Sequence, residues 1–260
     1  MSIRRGLSGA ALAAVVLVMS TACASEGTSP TGSPTPTSTT ATATPTPTPT
    51  PTATADPLIS IDMPTAGSTV ATPVEMSGTA NTFEAALTVD ALDAAGTQLC
   101  VRSIMATSGS GTPGTWQTTL AFPPPAKSGP ITLRAYDYSA KDGSMENLVE
   151  RKATVSADHP AIFITSPTCG QQIAPGSTLT VKGRALVFEA MFTLELRNAA
   201  GATIVNTEVT AESGTEESDF TATMALPADA VSGYYDLVAF DNSAKDGTVI
   251  DEFSIQLRLQ

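Results

Sequence analysis

Short runs of alternating apolar and polar residues recur along the chain from about residue 58 to its end. Clear examples are "AALTVDAL" (85–92), "ITLRAYDY" (131–138), "MFTLELR" (191–197) and "EFSIQLRL" (252–259). A period of two places neighbouring side chains on opposite faces of a strand, so each run predicts a strand with one face on a core. Turn signals such as "DAAG" and "PPPAKSG" separate the runs. The pattern predicts an all-β fold of antiparallel β-sandwiches.

The strand-forming region contains the same plan twice. "LISIDMPTAGSTV" (58–70) corresponds to "AIFITSPTCGQQI" (161–173), and "LRAYDYSAKDG" (133–143) corresponds to "LVAFDNSAKDG" (237–247). An internal duplication explains both matches, and it predicts a first module at 58–156, a linker at 157–160 and a second module at 161–260. Because the linker is short, we expect the two sandwiches to stand end to end with restricted bending.

The first residues have the features of an export signal. Arg4 and Arg5 precede an apolar stretch that is too short to span a bilayer, and small residues lead to Cys23. The run "MSTAC" (19–23) resembles the lipobox of bacterial lipoproteins, which implies that residues 1–22 are removed and that Cys23 is lipidated. The protein is then expected on the outer face of the cytoplasmic membrane. The alternative is an ordinary signal peptide, cut near "ACA", which releases a soluble protein.

Residues 23–57 are dominated by proline, threonine and serine, as in "SPTPTSTTATATPTPTPTPTATADP". This composition offers almost no apolar side chains to bury, so it cannot offset the entropy of ordering. The segment is predicted to be a disordered, extended stalk between the lipid anchor and the first module.

Two motifs are repeated with the duplication. The first is Ser-Ala-Lys-Asp-Gly, in which an aspartate followed by glycine is typical of a tight turn. We predict a structural turn, although carboxylates near Glu84 and Glu189 leave a calcium site as an alternative. The turn residues in the two copies are Asp137, Ser139, Lys141, Asp142, Gly143, Asp241, Ser243, Lys245, Asp246 and Gly247.

The second repeated motif is Phe-Glu-Ala, which lies in a strand-like run in both copies. If Phe83 and Phe188 face the core, then Glu84 and Glu189 face the other way and brace the neighbouring loop. Elsewhere, Trp116 occupies the same repeat position as Phe220, and an aromatic kept in this way is predicted to be core.

These landmarks, taken in order, resemble the immunoglobulin-like domain of bacterial spore germination, of the type associated with the GerMN domain. The landmarks are an "I…P…G" hairpin, a central "FEA" and a late "SAKDG" turn, and both copies carry them. The resemblance implies two tandem immunoglobulin-like antiparallel β-sandwiches at a cell surface. It supplies no catalytic residues.

Charge and motif content narrow the function. The formal net charge of −12 argues against nucleic acid, which needs clustered lysine and arginine. His159 is the only histidine and lies in the linker, and no Cys-x-x-Cys or His-Glu-x-x-His motif is present. We therefore expect neither an enzyme nor a cofactor or metal site.

Cys100 and Cys169 remain after Cys23 is assigned to lipidation. The duplication aligns them with Val205 and Ala66, so each module owns one of the two cysteines. Outside the cytoplasm they could form a disulfide between the modules. The alternatives are two separate thiols, or pairing between molecules.

The sequence thus favours a lipid-anchored envelope protein whose two modules act in protein interaction or as a spacer. Its expected partners are the membrane, through the N-terminal lipid, and an envelope protein or cell-wall polymer. The alternative is a carbohydrate- or peptidoglycan-binding protein, and a hydrolase is the third hypothesis.

Overall fold

The computed structural model describes residues 57–260. The signal peptide, Cys23 and the stalk up to residue 56 lie outside the described residues, so the predictions made for them stay predictions. Within residues 57–260, no helix has the length and apolar character needed to cross a membrane.

The first module is built from two sheets packed face to face. Its strands are β1 (Thr69–Val70), β2 (Val74–Ala80), β3 (Ala86–Leu92), β4 (Gln98–Met105), β5 (Gly114–Leu120), β6 (Gly129–Tyr138) and β7 (Met145–Val155). The larger sheet has the order β1-β7-β6-β3-β4, and β2 pairs with β5 in the smaller one. Bridges from Ile59 to Ala80 and from Met63 to Ser77 add the preceding segment to the smaller sheet.

The second module repeats this topology. Its strands are β8 (Ile162–Ser166), β9 (Gln172–Ile173), β10 (Thr178–Ala185), β11 (Met191–Asn198), β12 (Thr203–Thr210), β13 (Ser218–Ala225), β14 (Gly233–Asn242) and β15 (Val249–Leu259). The larger sheet has the order β12-β11-β14-β15-β9 and the smaller sheet the order β13-β10-β8. Strand for strand, this order matches that of the first module, so the predicted pair of antiparallel sandwiches is confirmed.

Alternation along the strands produces one core in each module. In β3 the side chains of the hydrophobic core are Leu87, Val89 and Ala91, and the matching positions of β11 also belong to a core. Each fully buried Leu or Val side chain contributes about 1.5–3 kcal/mol to folding. Trp116 and Phe220 are both buried, as their shared repeat position predicted.

Gly78 and Gly183 hold the same place in the two copies because no side chain fits there. A Cβ atom on Gly78 would lie 2.0 Å from the carbonyl oxygen of Ser60, and one on Gly183 would lie 2.1 Å from that of Phe163. The same glycines leave room for the rings of Trp116 and Phe220. The close approach of neighbouring strands therefore requires glycine in both modules.

A buried ion pair lies on the outer face of the first module's larger sheet. The carboxylate of Asp90 has no solvent exposure and accepts two hydrogen bonds from Arg134, at 2.8 Å from Nε and 2.6 Å from Nη2. Gln98 Nε2 and the Tyr136 hydroxyl also donate to Asp90. The hydrogen bond to Asp90 raises the pKa of the Arg134 guanidinium above its ordinary value.

Candidate functional site

The Phe-Glu-Ala motif forms a tight turn, not a strand, in both modules. Phe83–Ala85 and Phe188–Ala190 are single turns that immediately precede β3 and β11. The phenylalanines are 65% and 72% exposed, whereas the alanines are buried. The prediction of a strand motif at Phe83, Glu84, Phe188 and Glu189 with core phenylalanines is therefore wrong. The turn rotates the chain so that alanine, not phenylalanine, enters the core.

The backbone of this turn lies in a region that non-glycine residues rarely adopt. Glu84 and Ala85 have φ of 53° and 59°, and the values in the second copy are 56° and 58°. A neighbouring glycine makes the turn possible, because a Cβ on Gly109 would lie 2.6 Å from the backbone of Ala85. Gly214 approaches Ala190 in the same way. Strain of this kind clusters at functional sites, so its presence in both copies marks the turn as a candidate.

Replacement of Glu189 by glycine is expected to give a protein more stable than Glu189→Ala by about 0.5–1 kcal/mol. Glycine adopts positive φ without steric cost, whereas alanine keeps the Cβ that causes the strain. Part of the gain is offset by the greater entropy of glycine in the unfolded chain. Urea unfolding of the two variants makes the comparison. Equal stability would show that residue 189 is not held in the left-handed region.

The Ser-Ala-Lys-Asp-Gly segments are turns closed by their own side chains. Gly143 N donates to the carbonyl of Ser139, and Gly143 has a φ of 72°. Asp142 Oδ1 accepts hydrogen bonds from the hydroxyl and the backbone N–H of Ser144, and the hydroxyl bond is the main cause of the lowered pKa of Asp142. The amide of Lys141 donates to Ser139 Oγ.

The second copy of this turn repeats the arrangement. Gly247 N donates to the carbonyl of Ser243, and Lys245 N donates to Ser243 Oγ. Asp246 Oδ1 accepts from Thr248, whose hydroxyl is the main cause of the lowered pKa of Asp246. Both aspartates thus serve the turn. Within residues 57–260, no three or more His, Cys, Asp or Glu side chains are grouped to hold a metal ion.

In each module, the Phe-Glu-Ala turn and the two residues that precede the Ser-Ala-Lys-Asp-Gly turn line a groove. In the second module the groove has a volume of about 350 Å³, and we call it the Phe188 groove. In the first module it has a volume of about 180 Å³, and we call it the Phe83 groove. Their principal lining residues are, respectively, Phe188, Glu189, Met191, Glu208, Asp241 and Ile250, and Phe83, Glu84, Ser103, Asp137, Tyr138 and Tyr234.

The grooves are equivalent in position but differ in chemistry. Ser103 of the Phe83 groove stands where the Phe188 groove has Glu208. Tyr234, which belongs to the second module, closes one side of the Phe83 groove. Alternation alone missed Glu208 and Tyr234. The sequence does mark the two motifs, because "FEA" and "SAKDG" are identical in both copies while core positions such as Leu87 and Phe192 differ, but it carries no such mark at Glu208 or Tyr234.

A second candidate region is the junction of the two modules, which belong to one compact unit. The edge strand β4 of the first module contacts the outer face of β14 and β15. The expectation that the modules meet end to end is therefore wrong. Arg102 Nη2 lies 2.6 Å from Asp236 Oδ1, and Nη1 donates to the carbonyl of Ser254. Burial raises the pKa of Asp236 despite the opposing charge of Arg102.

An amide side chain continues the hydrogen bonding of β4 across the junction. Ser103 N donates to Gln256 Oε1 at 2.7 Å, and Gln256 Nε2 donates to the Ser103 carbonyl at 3.1 Å. Gln256 thus occupies both backbone groups of one residue, as a neighbouring strand does.

A disulfide joins Cys100 of β4 to Cys169 in the turn after β8, with their Cα atoms 4.7 Å apart. Of the alternatives that the sequence left open, the structure contains the bond between modules. Cys169 packs against the cores of both modules, and Ala121 of the first module is buried in the core cluster of the second. Covalent and apolar contacts therefore add to the polar ones.

The residues that form the junction differ between the two copies. None of them has a chemical equivalent at the aligned position, so the corresponding edge strand of the second module, β12, cannot make the same contacts. Cys100, Arg102, Cys169, Asp236 and Gln256 align with Val205, Thr207, Ala66, Thr132 and Lys152, respectively.

His159 serves a local contact in the second module. Its Nδ1 atom lies 2.7 Å from Glu217 Oε2, and Glu217 also pairs with Arg184. The His159 ring stands edge-on to Phe163. This arrangement fixes the linker to the second sandwich.

Three comparisons place the chain among known proteins. No curated protein matches it. Fibronectin(III)-like modules of Clostridium thermocellum CbhA share 14% identity over 78% of this chain and 94% of theirs, with a TM-score of 0.25. The glucan-locus protein SGBP-B of Bacteroides ovatus, solved with a mixed-linkage heptasaccharide, shares 14% over 75% of this chain and 43% of its own, with a TM-score of 0.28. The ICAM-5 D1–D4 ectodomain fragment shares 17% identity over 78% of this chain and 53% of its own, also with a TM-score of 0.28.

At these identities and TM-scores, the likeness to solved structures says nothing about function. The family model is more informative, because the model for the immunoglobulin-like domain of bacterial spore germination matches residues 58–144 and 161–248, more than half of the chain. Both matched ranges include the Phe-Glu-Ala and Ser-Ala-Lys-Asp-Gly turns. The chain therefore belongs to the family of the immunoglobulin-like domain of bacterial spore germination and carries two copies of that domain.

Proposed function

We propose that this protein is a non-enzymatic lipoprotein of the cell envelope. A lipid on Cys23 holds it on the outer face of the cytoplasmic membrane, and the Pro/Thr-rich stalk carries its two modules outward. The modules act as one unit in protein interaction or as a spacer.

The observation that carries the proposal is the junction. A disulfide, the partly buried ion pair of Arg102 and Asp236, and the Gln256–Ser103 amide contact all join the modules. A catalytic cleft between domains commonly depends on domain motion, whereas a spacer depends on a fixed separation. A junction with several independent contacts suits the second role.

Replacement of Cys23 by alanine is expected to move the protein from the membrane fraction to the soluble fraction. The Cys23 thiol is the group that would receive the diacylglyceryl group, and a lipidated protein needs its acyl chains for stable anchoring. Fractionation followed by immunoblotting measures the distribution. The Cys100→Ala/Cys169→Ala variant is the matched control, since it removes two thiols and should stay in the membrane fraction. Full retention of Cys23→Ala at the membrane would refute the lipid anchor.

A second candidate function is binding of a cell-wall polysaccharide. It is favoured by the exposed aromatic side chains of Phe83, Tyr138 and Tyr234, which lie around one groove. Aromatic faces pack well on the apolar faces of other rings. Co-sedimentation of the full chain with purified peptidoglycan tests this function, and loss of co-sedimentation in Tyr138→Ala and Tyr234→Ala would support it.

A further inference from the structure

The Phe188 groove carries negative charge without a matching positive charge. Three carboxylates line it, those of Glu189, Glu208 and Asp241, and its lining contains no lysine or arginine. Within residues 57–260, none of the three takes part in an ion pair. Asp241 accepts one hydrogen bond, from the backbone N–H of Asn242. The groove therefore offers carboxylate oxygens to an incoming cation.

The same groove exposes apolar surface. Phe188, Met191 and Ile250 are all exposed, and Phe188 is held outward by the strained turn at its base. An aromatic ring beside carboxylates is a favourable place for an ammonium or guanidinium group, which gains from both the ring face and the charge. The apolar neighbours suit aliphatic side chains on either side of such a cation.

We propose that the Phe188 groove docks a segment of a partner protein in which lysine or arginine alternates with apolar residues. The proposal rests on the interaction role proposed above and specifies its surface and the chemistry of its partner. The cationic group lies against the Phe188 ring and between the carboxylates of Glu208 and Asp241. The apolar residues pack on Met191 and Ile250.

The negative charge of the Phe188 groove favours a cationic peptide segment over a cell-wall polymer. An anionic polymer is repelled by three carboxylates, and a neutral glycan gains nothing from their charge. The whole chain has a formal net charge of −12, and this long-range field speeds the encounter with a cationic partner.

The Phe83 groove provides an internal comparison. It keeps Glu84 and Asp137 but has Ser103 in place of Glu208, and Tyr234 narrows it. With one carboxylate fewer and about half the volume, it should bind the same segment more weakly.

Binding is tested with the full chain and three fluorescein-labelled heptapeptides that differ only at two positions. The sequences are Gly-Leu-Lys-Leu-Lys-Leu-Gly and its glutamine and glutamate counterparts. Fluorescence anisotropy is expected to show the lysine peptide binding about tenfold more tightly than the glutamine peptide, because only lysine meets the ring and the carboxylates. Its affinity should fall several-fold between about 50 mM and about 300 mM NaCl, since the charges are near the surface.

Variants locate the site. Phe188→Ala is expected to lower the affinity for the lysine peptide about tenfold, because it removes the ring that contacts the cation. Glu208→Gln or Asp241→Asn should lower this affinity about three- to fivefold, because each removes one carboxylate charge. Phe83→Ala should have a smaller effect than Phe188→Ala. The matched control is Asp229→Asn, which removes the same charge beside Asn198, at the far end of β11. Since all of these side chains are exposed or partly exposed, near-wild-type unfolding curves are expected and verify folding.

Four results would each overturn the proposal. Equal affinity for the lysine and glutamine peptides, or no binding of the lysine peptide, removes the role of the cation. If Asp229→Asn and Glu208→Gln lower the affinity for the lysine peptide equally, binding depends on the net charge of the protein and not on the groove. Displacement of the peptide by an uncharged N-acetylglucosamine oligomer assigns the groove to wall polymer. None of these results alters the membrane fractionation of Cys23→Ala, so the anchored-spacer function stands or falls separately.

Discussion

Replacement of Arg134 by leucine is expected to lower the free energy of unfolding by about 3–5 kcal/mol. Asp90 has no solvent exposure, and Arg134 supplies two of the hydrogen bonds to its carboxylate. Without the guanidinium, a buried negative charge remains with only Gln98 and Tyr136 as donors. Such a charge is far more costly than the loss of an exposed ion pair.

The single tryptophan, Trp116, makes this result measurable, because it is buried in the same module as Asp90 and Arg134. Urea unfolding followed by Trp116 fluorescence gives the stability of that module. The double variant Asp90→Asn/Arg134→Leu removes both charges, and its free energy of unfolding should fall by less than that of Arg134→Leu alone. The comparison variant lies in the second module, whose unfolding is followed by far-UV circular dichroism because Trp116 does not report on it. There, Arg197→Leu breaks partly exposed contacts with Glu195 and Glu252 and should cost about 1 kcal/mol or less. A loss for Arg134→Leu no larger than for Arg197→Leu would contradict the buried-charge explanation.

Loss of the disulfide is expected to lower the free energy of unfolding by about 4 kcal/mol. Cys100 and Cys169 are separated by 69 residues, and closing a loop of this length in the unfolded chain removes roughly that much conformational free energy. The Cys100→Ala/Cys169→Ala variant tests the value by urea unfolding. Reduced wild-type protein tests it without any substitution.

The two measurements should agree, apart from a small term for the lost sulfur atoms. Thiol titration of oxidised, denatured wild-type protein provides the independent check. We expect no free thiols at Cys100 and Cys169 before reduction and two after it. Two thiols before reduction would disprove the bond.

Alternation predicted the strands because each module has one large, continuous core face. The run containing Leu87, Val89 and Ala91 became β3, and the matching run became β11. The Phe-Glu-Ala turn could not be predicted in this way. Its position depends on φ values and on the approach of Gly109 and Gly214, which lie more than twenty residues further along the chain. A large aromatic next to a strand is ordinarily a core residue, and here alanine takes that place.

The duplication predicted two similar modules but contained no information about how they join. Arg102 and Asp236 are 134 residues apart, and each aligns with a threonine in the other copy. The position of Cys100 explains why the sequence alone could not decide whether the disulfide forms. The cysteine lies on an edge strand, so its side chain can be buried in a core and still reach a second module.

The contact between Gln256 and Ser103 also affects how readily the protein associates with copies of itself. An exposed edge strand presents unpaired N–H and C=O groups on which strands of other molecules can add, and repeated addition leads to aggregation. Gln256 occupies these groups at Ser103, in the middle of the β4 edge. The corresponding edge, β12, has Glu208 at the position of Ser103, and a charged side chain discourages the same addition. One edge is thus covered by an intramolecular amide and the other carries a charged side chain, and both features limit the addition of strands from other molecules.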